Sequence, residues 1–204
     1  MFFKTLVSWF DNHAVETSDA NPEKIECLRV LPFIVLHLAC FAVFWVEFSA
    51  VAVSVAVVLY VLRMFAITGF YHRYFSHKAF KTSRPVQFIF AFLAASAAQR
   101  GPLWWASHHR HHHAHSDHPE DPHSPKQHGF FWSHLSWFLA NKNFRLKKER
   151  IKDWLQYPEL KLLDRFDVVA PLALALGLFG LGAWLEFAAP HLQTNGLQLF
   201  IWGF

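Results

Sequence analysis

The chain has 204 residues, 53% of them apolar and 17% charged, which is more apolar than an ordinary soluble domain. Its two cysteines, Cys27 and Cys40, form no CxxC pair, which excludes a disulfide framework, a cysteine zinc site and a resident iron–sulfur cluster. The formal net charge is only +4, but the chain carries fifteen histidines, and ten of them lie between His108 and His134. Any redox chemistry must therefore use ligands other than cysteine.

The N-terminal segment 1–29 mixes acidic and basic residues. It lacks the basic start and apolar stretch of a cleavable secretory signal. We therefore expect this segment to remain in the cytosol.

Three apolar stretches predict membrane-spanning helices at about 30–46, 50–70 and 168–185, and a partial fourth begins at 197. As a helix, the first stretch would cover roughly 26 Å, enough for a thin bilayer. A short polar break at 47–49 separates the first two stretches, which predicts a helical hairpin.

Single residues in the apolar stretches predict how the helices pack. A charge such as Arg63 costs roughly 2.5–3.5 kcal/mol inside a membrane, so its side chain should face protein or reach the interface. Gly177, Gly180 and Gly182 would permit close approach of a neighbouring helix. The apolar stretch 86–98 is too short to span, which predicts a buried or interfacial helix on the cytoplasmic side.

The basic residues predict the orientation. Of the nineteen lysines and arginines, fifteen lie between Tyr71 and Asp167, whereas the turn at Glu47 and the segment 186–196 contain none. Because basic loops stay in the cytoplasm, segment 71–167 and the N-terminus are predicted to be cytoplasmic. The expected fold class is an all-α, multi-pass integral membrane protein.

Two histidine constellations lie in this cytoplasmic segment, and the first is His72-Arg73-Tyr74-Phe75-Ser76-His77. Neutral imidazole is a strong ligand for iron, zinc and copper. A spacing of five residues turns about 140° on an ideal helix, so both rings share a face only if the helix ends or bulges between them. The alternative is a pair of interfacial histidines beside Tyr71 and Tyr74.

The second constellation extends from His108 to His115 and offers two helical faces. One face carries His109, His112 and His113, and the other carries His108, His111 and His115. Helical periodicity does not choose between them. Flanking aromatic residues, such as Trp104 and Trp105, favour a packed metal site over a disordered metal-buffering tract.

Taken together, HRYFSH at 72–77, WASHHRHHH at 105–113, DPH at 121–123 and GFFWSH at 129–134 resemble the membrane fatty acyl desaturases. The resemblance is to the acyl-CoA (stearoyl-CoA desaturase-like) family and extends from about Leu31 to the end. It implies four transmembrane helices beneath a cytosolic helical cap that holds a di-iron centre. It assigns the ligand role to His72, His77, His109, His112 and His113, and leaves His108, His111 and His115 outside the ligand set.

The chain departs from the family pattern in two ways. It has neither the third box, HxxHH, nor the further Asn/His contribution after the fourth span, so we expect 30–204 to be an incomplete desaturase domain without turnover of its own. Animal acyl-CoA members have Arg-Asp where this chain has Ser107-His108, which brings the contact with CoA into question.

The resemblance implies oxygen-dependent desaturation of a long-chain acyl-CoA or acyl lipid from the bilayer. The chain has no haem-binding or cysteine-rich segment, so a separate electron donor is implied, either cytochrome b5-like or ferredoxin-like. Two alternatives are a related histidine-box hydroxylase of fatty acids or alkanes, and a non-enzymatic membrane metal-binding protein. No nucleic-acid-binding motif accompanies the basic residues, so no nucleic acid partner is expected.

Acidic and basic side chains around the boxes have two interpretations each. Asp117, Glu120 and Asp121 are candidate acceptors for the free ring nitrogens of the histidines, or solvated loop acids. The basic run 142–152 fits anionic lipid or a phosphorylated carrier, or a solvated helical face.

Overall fold

The computed structural model describes residues 10–12, 23–25 and 27–204, with side chains in the first helix from Val30 onwards. Most of the predicted cytosolic segment 1–29 lies outside the described residues. The helices are α1 Cys27–Ala39, α2 Ala50–Phe65, α3 Arg84–Ala95, α4 Pro102–His115, α5 Pro125–His128, α6 Pro158–Arg165, α7 Val169–Ala188 and α8 Gly196–Gly203. The described part of the chain contains no strand, only an isolated antiparallel bridge between Ile25 and Ala140.

Short helices of other types join or extend these elements. They are the 3-10 helices Cys40–Phe44, Trp137–Leu139, Asn141–Asn143, Lys148–Arg150 and Pro190–Leu192, and the π-helices Ala66–Ser76 and Trp132–Ser136. The π-helix Ala66–Ser76 follows α2 without a break and carries the first histidine of the box at 72–77. The mostly helical structure confirms the all-α part of the predicted fold class.

Local sequence explains where several helices begin. The Ser49 side chain accepts a hydrogen bond from the Ala52 amide at the start of α2. At the start of α8, Asn195 and Gln198 form a reciprocal capping box. A proline stands in the first turn of α3, α4, α5 and α6, where its missing N–H costs no intrahelical bond.

Two described helices are long and apolar enough to cross a membrane: Ala50–Ser76, with 27 residues, and Val169–Ala188, with 20. They overlap the predicted stretches 50–70 and 168–185, although the first continues through most of the histidine box. The apolar helix Val30–Phe44 is shorter, so the predicted span 30–46 has less helix than expected.

Helix α8 packs between α2 and α7. Its Gln198 side chain donates to the Glu47 carbonyl before α2, and Arg63 near the end of α2 donates to the carbonyls of Gly203 and Phe204. Helix α8 therefore runs in the same direction as α2. The arginine faces protein, as expected for a charge in an apolar helix.

One of the three glycines of α7 permits close packing. A Cβ at Gly182 would lie 2.4 Å from the Asn195 carbonyl oxygen. By contrast, a Cβ at Gly177 or Gly180 would meet no described atom within 4 Å, so among the described residues no helix makes use of these two positions.

The larger hydrophobic core supports the histidine-bearing segments. It brings together the π-helix Ala66–Ser76, α3, α4 and α6, and its fully buried side chains include Tyr71, Phe75, Leu103, Ile151 and Leu160. Both histidine boxes are thus attached to one packed scaffold.

Candidate metal centre

The π-helix brings the two histidines of the first box together. The His77 amide donates to the His72 carbonyl at 3.2 Å, a bond between residues five apart. An i→i+5 helix places the fifth following residue about one turn further on, so both side chains project from one side. Their Nε2 atoms lie 3.1 Å apart.

Helix α4 supplies the second pair. His109 and His113 stand four residues apart on one face, and their Nε2 atoms are separated by 3.0 Å. The Trp105 ring stacks on His109 with a centroid distance of 4.6 Å, which fixes the orientation of that imidazole.

The two pairs face each other across the boundary between the π-helix and α4. The ring centroids of His72 and His109 are 4.7 Å apart, and those of His77 and His113 are 4.6 Å apart. Each of the four histidines offers a nitrogen within 4.8 Å of the other three. We call this group the four-histidine cluster.

His112, the fifth predicted ligand, lies beside the cluster and belongs to a different group. Its Nδ1 is 2.9 Å from the Asp121 carboxylate, and its ring stacks on His123 at 4.1 Å. Its centroid is 5.4 Å from that of His113, so the ring remains next to the cluster. The bond to Asp121 leaves Nε2 as the nitrogen of His112 that is free to bind a metal.

Asp121 is buried at the centre of this second group and accepts the hydrogen bond from His112. Its carboxylate also accepts hydrogen bonds from the amides of Asp117 and His123, and its side chain is fully buried. Among the three candidate carboxylates, it is the one that contacts a predicted ligand. Asp117 instead accepts from the Ser124 hydroxyl, and Glu120 contacts His111 only through its main-chain oxygen.

The rival histidine face of α4 is used for structural contacts. His108 is buried against the Arg145 carbonyl, His111 contacts the Glu120 carbonyl, and His115 accepts from the Arg150 guanidinium. None of these three rings belongs to either potential metal-binding group among the described residues.

Arg110 connects the two histidine boxes. It lies on α4 between His109 and His111, and its guanidinium donates to the carbonyls of Phe75 and Ser76 at 2.5 and 2.9 Å. It also forms a two-pronged pair with the Asp153 carboxylate at 2.8 and 3.0 Å. The arginine of the second box therefore holds the backbone of the first.

Burial keeps several of these imidazoles neutral. Burial, together with the neighbouring histidines, beginning with His113, lowers the pKa of His109 to about 3. Burial likewise lowers the pKa of His77, His113 and His123. Neutral imidazole is the form that binds metal ions, so no deprotonation cost opposes binding at neutral pH.

Two cavities adjoin the histidines. An aromatic chamber of about 210 Å³ is lined by Trp104, Trp105, His108, His109, His123 and Trp137. A more open cleft of about 310 Å³ is lined by His112, Asp117, His123, Ser124, Pro125, Phe130, Ser133 and His134. Both cavities reach a histidine that could bind metal, which leaves room for a substrate or further ligands there.

The donor set fits a transition-metal ion. Four imidazole nitrogens converge without any thiolate, which suits iron, copper or zinc and gives no soft-metal preference. A carboxylate oriented toward Nδ1 of a histidine is a common support for a ligating ring. The residues present therefore fit the histidine-held metal that the sequence suggests.

Sequence reasoning overlooked two participants. His123 was quoted only as part of the DPH motif, and Arg110 only as part of the second box. The signal for His123 was its position two residues after Asp121, in the turn that faces α4. Nothing in the local pattern could indicate that Arg110 would reach the first box.

Comparisons with known proteins identify the family of this chain. Residues 47–204 match the family model described as fatty acid desaturase. The chain is 34% identical over 164 residues to an sn-1 stearoyl-lipid 9-desaturase of Anabaena variabilis, which covers 79% of this chain and 60% of that protein. It is 32% identical over 174 residues to an acyl-CoA 5-desaturase of Anemone leveillei, covering 83% of this chain and 52% of that protein.

A third relative is a chloroplastic palmitoyl-monogalactosyldiacylglycerol delta-7 desaturase of Arabidopsis thaliana. Identity is 36% over 142 residues, covering 68% of this chain and 38% of that protein. The chain thus spans 60% or less of the length of these three relatives. Since the family model matches most of the chain, including both histidine boxes, this protein belongs to the fatty acid desaturase family.

Proposed function

We propose that this protein is the histidine-box part of an enzyme that introduces a double bond into a long-chain fatty acyl group, using O2. The observation that carries the proposal is the convergence of His72, His77, His109 and His113 in a chain of the desaturase family. The adjoining aromatic chamber, which reaches His109, has the apolar lining that a hydrocarbon chain requires.

The proposed cofactor is a di-iron centre. His72, His77, His109 and His113 would hold it, with His112 contributing its free Nε2 beside them. When bound, two iron ions supply the oxidising power with which O2 removes two hydrogens from adjacent methylene carbons, with two further electrons from a donor. The chain itself contributes neutral imidazoles, the Asp121 carboxylate that orients His112, and the aromatic chamber beside His109.

The proposed substrate is an acyl lipid or an acyl-CoA. Relatives whose names specify lipid-bound or CoA-bound chains support both carriers. Ser107 and His108 are both buried and bonded within the protein, so neither side chain is available to a carrier at the surface. A separate cytochrome b5-like or ferredoxin-like protein is the proposed electron donor.

The proposed topology is multi-pass, with spans at about 30–46, 50–70 and 168–185 and a fourth that begins at 197. The N-terminus and a helical cap formed by 71–167 are assigned to the cytoplasm. Two observations support this arrangement. The Ser49 and Thr194 hydroxyls are hydrogen-bonded, so the turns before α2 and α8 share one end of the bundle, and the histidine cluster lies beyond the other end of α2.

We further propose that the 204-residue chain alone does not turn over. The four-histidine cluster and His112 account for the histidines of the first two boxes, and the family resemblance implies further ligands from a third box.

The function can be tested in two stages. The purified chain, in detergent and without oxygen, is titrated with Fe²⁺ or Co²⁺ to measure stoichiometry and the visible spectrum of bound Co²⁺. Any longer form encoded by the genomic DNA past Phe204 is then incubated with a saturated acyl lipid or acyl-CoA, O2 and a reductant, and the acyl products are analysed by mass spectrometry.

Each outcome separates the candidate functions. A new double bond supports the proposal, and a hydroxylated chain would assign the protein to the hydroxylases. Stoichiometric zinc in natively prepared protein, with no iron requirement for turnover, would favour a metal-binding role without this chemistry. His118→Ala, which lies outside both potential metal-binding groups, is the matched control for His109→Ala.

A further inference from the structure

An exposed apolar face runs along the helical residues 130–138. Phe130, Phe131 and Leu135 are 65%, 75% and 41% exposed, and they lie on one side of the segment. The tryptophans of the same segment point the other way: Trp132 donates to the Pro122 carbonyl, and Trp137 stacks on Trp104. The segment is therefore amphipathic, with its tryptophans used for folding and Phe130 and Phe131 left uncovered.

This apolar face continues onto α1. The Phe138 ring packs against Phe33 with a centroid distance of 5.6 Å, and the bridge between Ile25 and Ala140 ties the end of the segment to the residues before α1. On α1, exposed apolar side chains follow, including Val35 and Leu38 at 52% and 61%. The two elements thus present one continuous apolar surface.

The chemistry of the surface favours a lipid partner. Two adjacent exposed phenylalanines are unfavourable in water, and contiguous apolar patches of this kind mark sites of association. Lys126 is exposed on α5, four residues before Phe130. Aromatic rings bordered by lysines are typical of segments that lie in the headgroup region of a bilayer.

We propose that Phe130, Phe131 and Leu135 lie in the interfacial layer of the membrane, beside the lipid that covers α1. The segment 130–138 would then rest on the bilayer surface and insert its phenylalanine rings at the boundary between headgroups and acyl chains.

The proposed contact also bears on substrate delivery. Phe130 lines the open cleft of about 310 Å³ that reaches His112 and His123. In this respect the inference rests on the proposed function, because it places the mouth of that cleft at the lipid surface, where an acyl chain is available without crossing water.

The test places a fluorophore on the face and asks which solvent reaches it. Phe131→Cys is made in a background in which Cys27 and Cys40 are serine, labelled with an environment-sensitive dye, and reconstituted into nanodiscs of phosphatidylcholine and phosphatidylglycerol. Emission is quenched either by lipids brominated near the glycerol end of the acyl chains or by aqueous iodide. Phe130→Cys is a second site in case the first variant does not fold, as judged by circular dichroism.

Two further labelling sites calibrate the measurement. Leu176→Cys, 71% exposed on α7, should be quenched by brominated lipid, and the exposed Lys152→Cys by iodide. We expect the label at position 131 to lose most of its emission to the shallow brominated lipid and to be protected from iodide.

Quenching by iodide as strong as at Lys152→Cys, without lipid quenching, would overturn the proposal. A label that is protected from both quenchers, but loses this protection when each nanodisc holds one copy of the protein, would overturn the proposal and indicate self-association. The readout requires neither metal nor substrate, so its failure is distinguishable from failure of the proposed desaturation.

Discussion

Replacing Arg110 tests whether one side chain holds the two histidine boxes together. Arg110→Met keeps most of the aliphatic volume and removes all five hydrogen bonds of the guanidinium. The Ser76 carbonyl loses its hydrogen bond from Arg110. The Asp153 carboxylate keeps its ion pair with Lys78, whose side chain is 55% exposed.

The expected loss of stability follows from burial. The side chains of Arg110 and Asp153 are only 16% and 26% exposed, so the pair is shielded from solvent over most of its surface. Removing one partner of a buried ion pair costs about 3–5 kcal/mol, and the remaining exposure places this case near the lower value. For a chain of this size that corresponds to a fall in Tm of roughly 6–12 °C.

Metal binding provides the second readout. Because Arg110 fixes the backbone of Phe75 and Ser76 relative to α4, its loss should separate His77 from His109 and His113. We expect Co²⁺ affinity to fall by about ten-fold or more, as for other supporting contacts of metal ligands. Arg110→Lys should give an intermediate result, since lysine keeps the charge but not the two-pronged geometry.

The matched control is Arg84→Met. Arg84 also forms a two-pronged pair, with Glu159 at 2.7 and 2.6 Å, but its side chain is 59% exposed and contacts neither box. Solvent screening should make its loss nearly silent in both assays. The reasoning is refuted if Arg110→Met unfolds at the wild-type temperature, or if both variants lose the same stability.

Three further predictions concern packing, pH and metal binding. Gly182→Ala should destabilise the chain by about 1–3 kcal/mol, because its methyl group would meet the α8 backbone. Gly177→Ala faces open space and should be neutral or stabilising by about 0.5–1 kcal/mol. Thermal unfolding in detergent distinguishes the two variants. Burial raises the pKa of Asp164 from 3.8 to about 7, so the folded protein holds this proton more tightly than the unfolded chain. The free energy of unfolding that this proton contributes is fully present below pH 3.8 and is lost as the pH rises to about 7. In Asp164→Asn this loss should be absent, so the free energy of unfolding of the variant should rise relative to that of the wild type by up to about 4 kcal/mol between pH 3.8 and 7. A difference in unfolding free energy that does not change with pH would contradict the raised pKa of Asp164. His109→Ala should abolish tight Co²⁺ binding while His111→Ala retains it, as titration in the visible range can show; equal loss in both would mean that the two faces of α4 share the metal.

Much of the fold followed from composition and hydropathy. The apolar stretches 50–70 and 168–185 were recognisable because twenty apolar residues in succession have few alternatives to a long helix. The position of Arg63 against protein was likewise predictable, since an unpaired charge in lipid is costly. The position at which the π-helix after α2 ends was not predictable, because residues 71–76 contain no proline or glycine that would mark a stop.

The ligand set was predictable only in part. Periodicity on α4 left two faces open, and the resemblance to desaturases chose His109, His112 and His113. The structure brings His109 and His113 into the cluster, and turns His112 toward Asp121. The five ligand roles stay predictions. The orientation of His112 depends on its contacts with Asp121 and His123, which helical periodicity on α4 does not indicate.

The first box shows why local sequence could not give its geometry. On an α-helix, the five-residue spacing of His72 and His77 would separate the rings by about 140°. The π-helix removes that separation, but it is a rare conformation that needs support from outside itself. In this protein the carbonyls at its end are held by Arg110 of α4, and the Trp154 indole also donates to the Phe75 carbonyl at 2.8 Å. The arginine of the second box and a tryptophan nearly eighty residues away thereby stabilise the backbone that brings His72 and His77 together. The two boxes therefore form one structural unit, and the convergence of their imidazoles depends on contacts that appear only once the chain has folded.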